Sequence, residues 1–285
     1  MPVKLLLLLL FCCNLAHGQL IPPENYQLTR DIVYKKVDNW QGRLDLYTPK
    51  NNHRKKPLVI FIHGGGWVHG KKEEEKDFAI FFEKEFVIAN VEYRLAGQAP
   101  APSAIEDTRC ALAYLLQKAH TYGIDRKKII VMGVSAGGHL ALMTGLTARD
   151  TLYSAGCFSK NTPSFSIAAI IERAGPADLN RWETIRKPGK ASSAWLGGRE
   201  NDTAFVHTLS PISYVHKNSP PVFIMHGDKD NTVPYQQSLI LLDRLQKADV
   251  PFELHTVKGA GHSVSEKDKA ALKEEIFRFL KKQKI

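Results

Sequence analysis

Residues 129–137 of this 285-residue chain read Ile-Ile-Val-Met-Gly-Val-Ser-Ala-Gly, and this stretch decides the fold. The apolar run Ile129–Met132 is typical of a β-strand buried on both faces. Residues 136–148 follow with the composition of a helix. The sequence therefore predicts a strand, a tight turn at Ser135 and a helix. Glycines two positions on either side of Ser135 relieve crowding in such a turn, which lifts the serine hydroxyl above the sheet edge.

The rest of the chain repeats this strand-and-helix alternation. Further strands are predicted at residues 58–62, 86–91, 167–171, 222–225 and 252–257, and further helices at 75–85, 102–119, 236–248 and 266–282. Such alternation requires right-handed crossovers and a mostly parallel central sheet flanked by helices on both faces. Before it, polar and apolar residues alternate in Asp31–Asp38 and in Arg43–Tyr47, which predicts an N-terminal antiparallel hairpin. The fold class is therefore α/β.

The chain is predicted to carry a cleavable signal peptide at residues 1–18. Lys4 precedes an apolar run from Leu5 to Cys13, and Ala16-His17-Gly18 supplies the small residues of a cleavage site, so the mature chain starts near Gln19. Residues 19–285 are interpreted as a single domain with a cap-like or lid-like insert at about 179–218, because a polar connection that long is usually functional. We expect a secreted protein, extracellular or periplasmic depending on the host.

Composition excludes several classes of protein. Hydrophobic residues make up 44% and charged residues 24% of the chain, which argues against disorder and low-complexity scaffolds. The net charge of +10, lowered by one when Lys4 leaves with the leader, is spread over separate short basic groups. Because no basic stripe alternates with aromatic residues, we predict a solvated basic surface, with attraction to an anionic polysaccharide or cell surface as the alternative. Nucleic acid and stable membrane insertion are not expected, and the oligomeric state is left open.

Two cysteines remain after removal of the leader, Cys110 and Cys157. They allow one disulfide in an oxidising compartment, whereas the alternative is that Cys110 is a small buried hydrophobic residue. Their spacing resembles no zinc site, and no metal or cofactor is expected. Asn201-Asp-Thr203 is a sequon for N-glycosylation if the host is eukaryotic. Trp182 and Trp195 in the insert could stack on a sugar ring, but we predict that they pack in the core.

A glycine-rich segment also points to nucleophilic catalysis at Ser135. His63-Gly64-Gly65-Gly66-Trp67 follows a buried strand, and its glycines let backbone N–H groups approach a substrate. The predicted donors to a developing oxyanion are backbone N–H groups of this glycine loop and of Ala136. His63 lies at the strand end and is interpreted as structural.

A serine nucleophile needs a base and an orienting carboxylate. His226-Gly-Asp228-Lys-Asp230 follows one predicted strand, and Gly259-Ala-Gly-His262 follows the next. His262 is the predicted base. Of the two aspartates we favour Asp230 as the acid, because Asp228 lies closer to the strand and is expected to brace the turn.

Together these segments resemble a known family. The chain is similar, from about Pro57 to His262, to the secreted α/β-hydrolase esterases with an HGGGW loop, in the branch of acetyl xylan and feruloyl esterases. The resemblance rests on the segments above and on Tyr93-Arg-Leu95, Ser210-Pro211 and Pro220-Pro221. It implies Ser135 as nucleophile, His262 as base, Asp230 as acid, and Gly64, Gly65 and Ala136 as oxyanion donors. Val134 stands where hormone-sensitive-lipase-like relatives carry an acidic residue, and Ala96-Gly97 replaces the Ala-Pro of many relatives.

The expected function is therefore serine-dependent hydrolysis of a carboxylic ester on a small or carbohydrate-linked acyl substrate. The same three residues fit two rivals: an amidase or peptidase-like hydrolase, such as an arylformamidase or a prolyl-peptidase-like enzyme, and a catalytically silent fold used for binding. The residues alone do not name the acyl group or the alcohol.

Overall fold

A computed structural model describes residues 20–51, 53–187 and 191–285, so the predicted leader at 1–18 lies outside the described residues. Eight strands form one sheet. They are β1 (Tyr26–Val37), β2 (Trp40–Pro49), β3 (Lys56–Ile62), β4 (Val87–Val91), β5 (Ile124–Val134), β6 (Ile167–Arg173), β7 (Val222–Gly227) and β8 (Phe252–Val257). Their order across the sheet is β1-β2-β4-β3-β5-β6-β7-β8.

Strands β3 to β8 are all parallel to one another, and β1 and β2 form the predicted antiparallel hairpin. The hairpin continues the sheet because β2 pairs antiparallel with β4, with Leu44 opposite Val91. The carboxyl ends of the parallel strands therefore meet at one edge of the sheet. In sheets of this kind, ligands bind beyond that edge.

Helices cover both faces of the sheet, as predicted. They are α1 (Ser103–Gln117), α2 (Ala136–Leu146), α3 (Glu183–Arg186), α4 (Ala191–Trp195), α5 (Thr203–Thr208), α6 (Gln236–Lys247) and α7 (Glu266–Lys282). The apolar sides of α1, α2 and α6 are buried in one core cluster with Ile60 and Val131. Helix α7 is buried in a second cluster with Val59 and Met132 on the opposite face. Alternate residues of the central strands thus point to opposite faces of the sheet and are buried in two separate cores.

The helix predicted at residues 75–85 is present as a 3₁₀-helix, Asp77–Lys84. Phe78 and Phe81, three residues apart, are both buried in the second cluster. A repeat of three residues per turn places such a pair on the same side of the helix. Phe82 is buried in the same cluster, so the spacing of the aromatic residues suits either kind of helix, and the structure shows the tighter one.

The insert between β6 and β7 contains the short helices α3, α4 and α5. Its two tryptophans, Trp182 and Trp195, are buried, which confirms the prediction of core packing. Trp195 stacks on Trp67 with the ring centroids 4.4 Å apart, and both rings lie nearly perpendicular to the ring of His139 on α2. This aromatic contact attaches the insert to Trp67, which directly follows the three glycines of the glycine-rich loop.

Not all of the positive charge is solvated. Lys72 is buried and forms ion pairs with Asp31, Asp45 and Glu73, in contrast to the predicted solvated basic surface. These contacts attach the segment after the glycine-rich loop to the N-terminal hairpin. Within the described ranges, no helix is both long enough and apolar enough to span a membrane.

Cys110 of α1 and Cys157 of the loop before β6 form a disulfide, the alternative that the sequence left open. The bridge spans 47 residues of sequence. We expect the double substitution Cys110→Ala/Cys157→Ala to lower the free energy of unfolding by about 3 kcal/mol, because a crosslink of this span restricts the unfolded chain. Urea unfolding measures this value, and wild-type protein in excess reductant is the control. Equal stability of the oxidised wild type and the double variant would contradict the prediction.

Candidate active site

Ser135 occupies the turn between β5 and α2, as predicted. Its backbone is left-handed, with φ 57° and ψ −122°. A Cβ atom on Gly133 would lie 2.1 Å from the carbonyl oxygen of Gly137, and one on Gly137 would lie 2.1 Å from that of Ile62. Only glycine fits at both positions. The Ser135 N–H donates to the carbonyl of Arg173 at the end of β6, over 2.7 Å, which fixes the turn to the sheet edge.

The structure brings Ser135, His262 and Asp230 into one hydrogen-bonded chain. The Ser135 hydroxyl lies 2.9 Å from Nε2 of His262. Nδ1 of His262 lies 2.7 Å from Oδ2 of Asp230. The Asp230 side chain is fully buried, whereas about a quarter of His262, 26%, is exposed. Residues that are 127 and 32 positions apart in sequence therefore meet at the carboxyl edge of the sheet.

The Asp230 carboxylate is held on both oxygens. Oδ1 accepts the backbone N–H groups of Thr232 and Val233, at 2.8 and 3.0 Å. Oδ2 accepts from His262 and from His226. Burial by itself would raise the pKa of Asp230, but the hydrogen bonds from the two histidines outweigh it and hold that pKa well below its usual range. Asp230 therefore stays ionised near neutral pH, as an orienting carboxylate must.

Asp228 braces the loop that carries His262. Its Oδ1 accepts the N–H of Gly259 at 2.6 Å. The neighbouring Lys229 N–H donates to the carbonyl of Ala260 at 2.9 Å. The two aspartates therefore make separate contacts. Asp230 accepts a hydrogen bond from the ring of His262, and Asp228 accepts one from the backbone of the loop that carries His262.

The glycine-rich loop is anchored by His63, which is buried. Its ring stacks on Tyr93 with centroids 4.4 Å apart, and the Tyr93 hydroxyl donates to the carbonyl of His63 at 3.1 Å. Burial lowers the pKa of His63 to about 4, so the ring is neutral near pH 7. These contacts are consistent with the predicted structural role.

The three predicted oxyanion donors differ in their surroundings. The N–H of Gly64 already donates to Oε1 of Glu75, at 3.2 Å. Among the residues that the structure describes, the N–H groups of Gly65 and Ala136 donate to no protein atom. Gly65 and Ala136 are thus available to a substrate oxygen. Gly64 would first have to release Glu75.

Glu75 belongs to a charged group beside the loop. Arg173 forms an ion pair with Asp77 at 2.5 Å and lies 3.8 Å from Glu75. Burial raises the pKa of Glu75, and Arg173 opposes that shift. This group borders a cavity of about 900 Å³ between the 3₁₀-helix, α7 and the sheet. The cavity reaches Gly64 and Gly65, but Ser135 and His262 do not line it.

Glu172, the last but one residue of β6, is fully buried close to the site. Its Oε2 accepts the N–H of Gly175 at 2.7 Å, and its Oε1 has no partner among the described residues. Burial raises the pKa of Glu172 to about 7. Because the unfolded chain releases this proton near its ordinary pKa of 4.5, the folded state binds the extra proton between the two values. This contribution to stability is therefore complete at acid pH and is lost as the pH rises towards 7.

We expect Glu172→Gln to remove that loss, since glutamine stays neutral and keeps an acceptor for Gly175. Relative to wild type, the variant should gain on the order of 2 kcal/mol of unfolding free energy between about pH 5 and about pH 8. Urea unfolding at the two pH values measures the difference, with the exposed Glu274→Gln as the matched control. Parallel pH dependence in Glu172→Gln and wild type would contradict the raised pKa.

Sequence reasoning missed several residues of the site, namely Glu75, Glu172, Arg173 and His226. A signal for His226 was present, because it precedes Asp230 by four residues in a strand-to-loop turn. No sequence motif marks Glu75, Glu172 or Arg173, and their roles depend on contacts made only in the folded chain, such as the ion pair of Arg173 with Asp77. Within the described ranges, no group of three or more His, Cys, Asp or Glu side chains is arranged to hold a metal ion.

The parallel sheet, the strand–serine–helix turn and the converging histidine and aspartate define an α/β-hydrolase fold. The chain belongs to the BD-FAE family, whose profile matches residues 44–245.

Several similar proteins are named as esterases. The chain is 30% identical to "Esterase LipC" of Mycobacterium tuberculosis, over 83% of this chain and 60% of that protein. It is 29% identical to "Isoprenylcysteine alpha-carbonyl methylesterase ICME" of Arabidopsis thaliana, over 91% of this chain and 63% of that protein. The chain thus spans about six-tenths of the length of these relatives. A solved "Truncated form of carbohydrate esterase from gut microbiota" superimposes with a TM-score of 0.75 at 25% identity, covering 92% of this chain and 98% of that one.

Proposed function

We propose that this protein is a serine-dependent carboxylic ester hydrolase that acts through an acyl-enzyme. The observation that carries the proposal is the continuous chain Ser135 Oγ–His262 Nε2–Asp230 Oδ2, at 2.9 and 2.7 Å. These distances lie within the reach required of a nucleophile, its base and an orienting group. The esterase names of similar proteins support the same reaction class.

In the first half-reaction, Ser135 Oγ attacks the ester carbonyl carbon while its proton passes to Nε2 of His262. Asp230 accepts the Nδ1–H of His262, so that Nε2 carries the lone pair, and it stabilises the imidazolium that forms. The free N–H groups of Gly65 and Ala136 would bind the oxyanion, each lowering the barrier by about 3 kcal/mol. The carbon–oxygen bond to the alcohol then breaks, and His262 gives its proton to the leaving alcohol.

In the second half-reaction, water attacks the acyl carbonyl and His262 takes a proton from it. Ser135 leaves as the bond to the acyl group breaks, and it regains a proton from His262. The products are a carboxylic acid and an alcohol, and the protein returns to its starting state. This sequence needs no group beyond the side chains and backbone already described.

The substrate we propose is an ester of a small acyl group, either free or linked to a carbohydrate. The insert is polar rather than a long apolar lid, and the carbohydrate esterase that superimposes with a TM-score of 0.75 supports a carbohydrate-linked substrate. A panel of acetylated xylan, methyl ferulate, p-nitrophenyl esters of increasing chain length and formylkynurenine tests this. The rates should be highest for short acyl groups. Preference for long-chain esters, or for formylkynurenine, would overturn the substrate proposal.

The mechanism itself is tested by labelling with a fluorophosphonate probe. A nucleophilic serine with its base in place should be modified at Ser135, as mapped by mass spectrometry of the tryptic peptide. Labelling should fall in step with the loss of p-nitrophenyl acetate hydrolysis. An unlabelled protein without esterase activity would instead support the catalytically silent alternative.

We also infer that the chain is exported and that the leader at residues 1–18 is removed. The disulfide between Cys110 and Cys157 supports an oxidising compartment. N-terminal sequencing of protein recovered from the medium or periplasm should start near Gln19. Retention of Met1 in a cell-associated protein would contradict export.

A further inference from the structure

A second histidine contacts the carboxylate of Asp230. His226, at the end of β7, is fully buried, and its Nε2 lies 3.1 Å from Asp230 Oδ2. This is the same oxygen that accepts from His262. The His226 Nε2 also lies 2.9 Å from the carbonyl oxygen of Val233. One carboxylate oxygen of the proposed acid is therefore shared by two imidazoles.

The neighbours of His226 determine where its proton sits. Both atoms facing Nε2 are acceptors, so Nε2 must carry the hydrogen. Nδ1 lies 2.7 Å from the hydroxyl of Ser238 on α6, which is buried and has no other side-chain partner in the described part of the chain. If the Ser238 hydroxyl donates to Nδ1, every polar atom of the ring is satisfied in its neutral Nε2–H form. An imidazolium would leave the Ser238 hydrogen without an acceptor.

We propose that His226, oriented by Ser238, is a positioning residue for Asp230 and through it sets the basicity of His262. This inference rests on the proposed function and assigns a role to a residue that makes no contact with the nucleophile. The Nε2–H draws negative charge from Oδ2 and, with the two N–H groups on Oδ1, fixes the plane of the carboxylate. Without it, Oδ2 would accept more strongly from His262 and favour the protonated base.

Other groups lie close to His226 and Asp230, and their effects on a pH profile must be separated from the effect of His226. The carboxyl group of Glu172 on β6 interacts electrostatically with His226. The rings of Tyr235 and His226 form a T-shaped pair with their centroids 5.6 Å apart. Asp228 is bound to the backbone of Gly259 instead. Because the Glu172 carboxyl gains charge towards neutral pH, each pH profile is measured both in wild type and in the Glu172→Gln background.

The test compares two substitutions of His226. His226→Phe keeps a planar ring but removes the donor, whereas His226→Gln keeps an N–H near the position of Nε2. In His226→Phe the acid limb of kcat/KM for p-nitrophenyl acetate should move up by about half a pH unit. The rate at about pH 6 should fall by up to roughly threefold, because the acid limb changes about tenfold per pH unit. In His226→Gln the acid limb should lie close to its wild-type position. In Ser238→Ala it should move in the same direction as in His226→Phe, but by less.

A readout without substrate keeps this inference separate from the proposed function. The titration of His262 is followed by NMR of its ring protons in wild type and in His226→Phe, with the exposed His120→Phe as the matched control. A higher titration midpoint of His262 in His226→Phe, with no change in His120→Phe, supports the role of His226. This holds even if no ester is hydrolysed and the proposed function fails. If His226→Phe does not fold by circular dichroism, Ser238→Ala carries the comparison. Unmoved titration and an unmoved acid limb in a folded variant would overturn the role of His226.

Discussion

Ser135→Ala is expected to lower kcat/KM for p-nitrophenyl acetate by roughly 10⁵-fold or more, because the acyl-enzyme can no longer form. The residues that would bind the oxyanion remain, so a small rate above that of the solvent is expected to persist. Alanine keeps the Cβ atom of Ser135, and the turn is held by the backbone bond to Arg173. The melting temperature should therefore change by no more than about 2 °C.

A suitable control is Ser166→Ala, which removes an exposed serine just before β6. Its activity and melting temperature should equal those of wild type. Fluorophosphonate labelling of Ser135→Ala should be absent. If this variant keeps more than a few per cent of wild-type activity and still labels, the nucleophile is another residue, and the assignment of Ser135 is wrong.

Asp230→Asn should reduce kcat about 10⁴-fold, the second of the two largest effects. Asparagine can keep its acceptor for the N–H groups of Thr232 and Val233, so the loop should hold. Its amide would place a donor where His262 now finds an acceptor. The imidazole would then take the wrong tautomer, with a hydrogen on Nε2 where it should receive the proton of Ser135.

Asp228→Asn is the matched comparison for this prediction. Its side chain needs only to accept the N–H of Gly259, which an amide oxygen also does. The expected loss is less than about tenfold. A larger loss in Asp228→Asn than in Asp230→Asn would reverse the roles of the two aspartates. Both variants need a urea unfolding curve so that loss of folded protein is not counted as loss of catalysis.

The order of strands and helices could be predicted because it depends on local pattern. Continuous apolar runs such as Leu58–Ile62 are buried on both faces of a parallel sheet, and they form strands for that reason. The kind of helix at Asp77–Lys84, a 3₁₀-helix, was the exception. Its geometry depends on how three aromatic side chains fit beneath the sheet, and periodicity over so few residues does not distinguish the two kinds of helix.

The candidate site was predictable to the extent that each of its residues follows a strand. Ser135, Asp230 and His262 stand beyond the ends of β5, β7 and β8, and parallel strands bring such positions to one edge. The partner of the Gly64 N–H was not predictable in this way. Glu75 reaches Gly64 only because the ion pairs of Arg173 and the start of the 3₁₀-helix hold it there.

By itself, the sequence determined the α/β alternation, the serine turn and the small set of residues from which a nucleophile, base and acid could be chosen. Those features depend on residue type and on spacing over a few positions. Only the tertiary structure decided that Cys110 and Cys157 are bridged, that Asp230 rather than Asp228 faces the histidine ring, and that His226 shares its carboxylate. Each of these depends on distances of a few ångströms between elements that are far apart in the chain. Such distances follow from how the whole sheet and its helices pack.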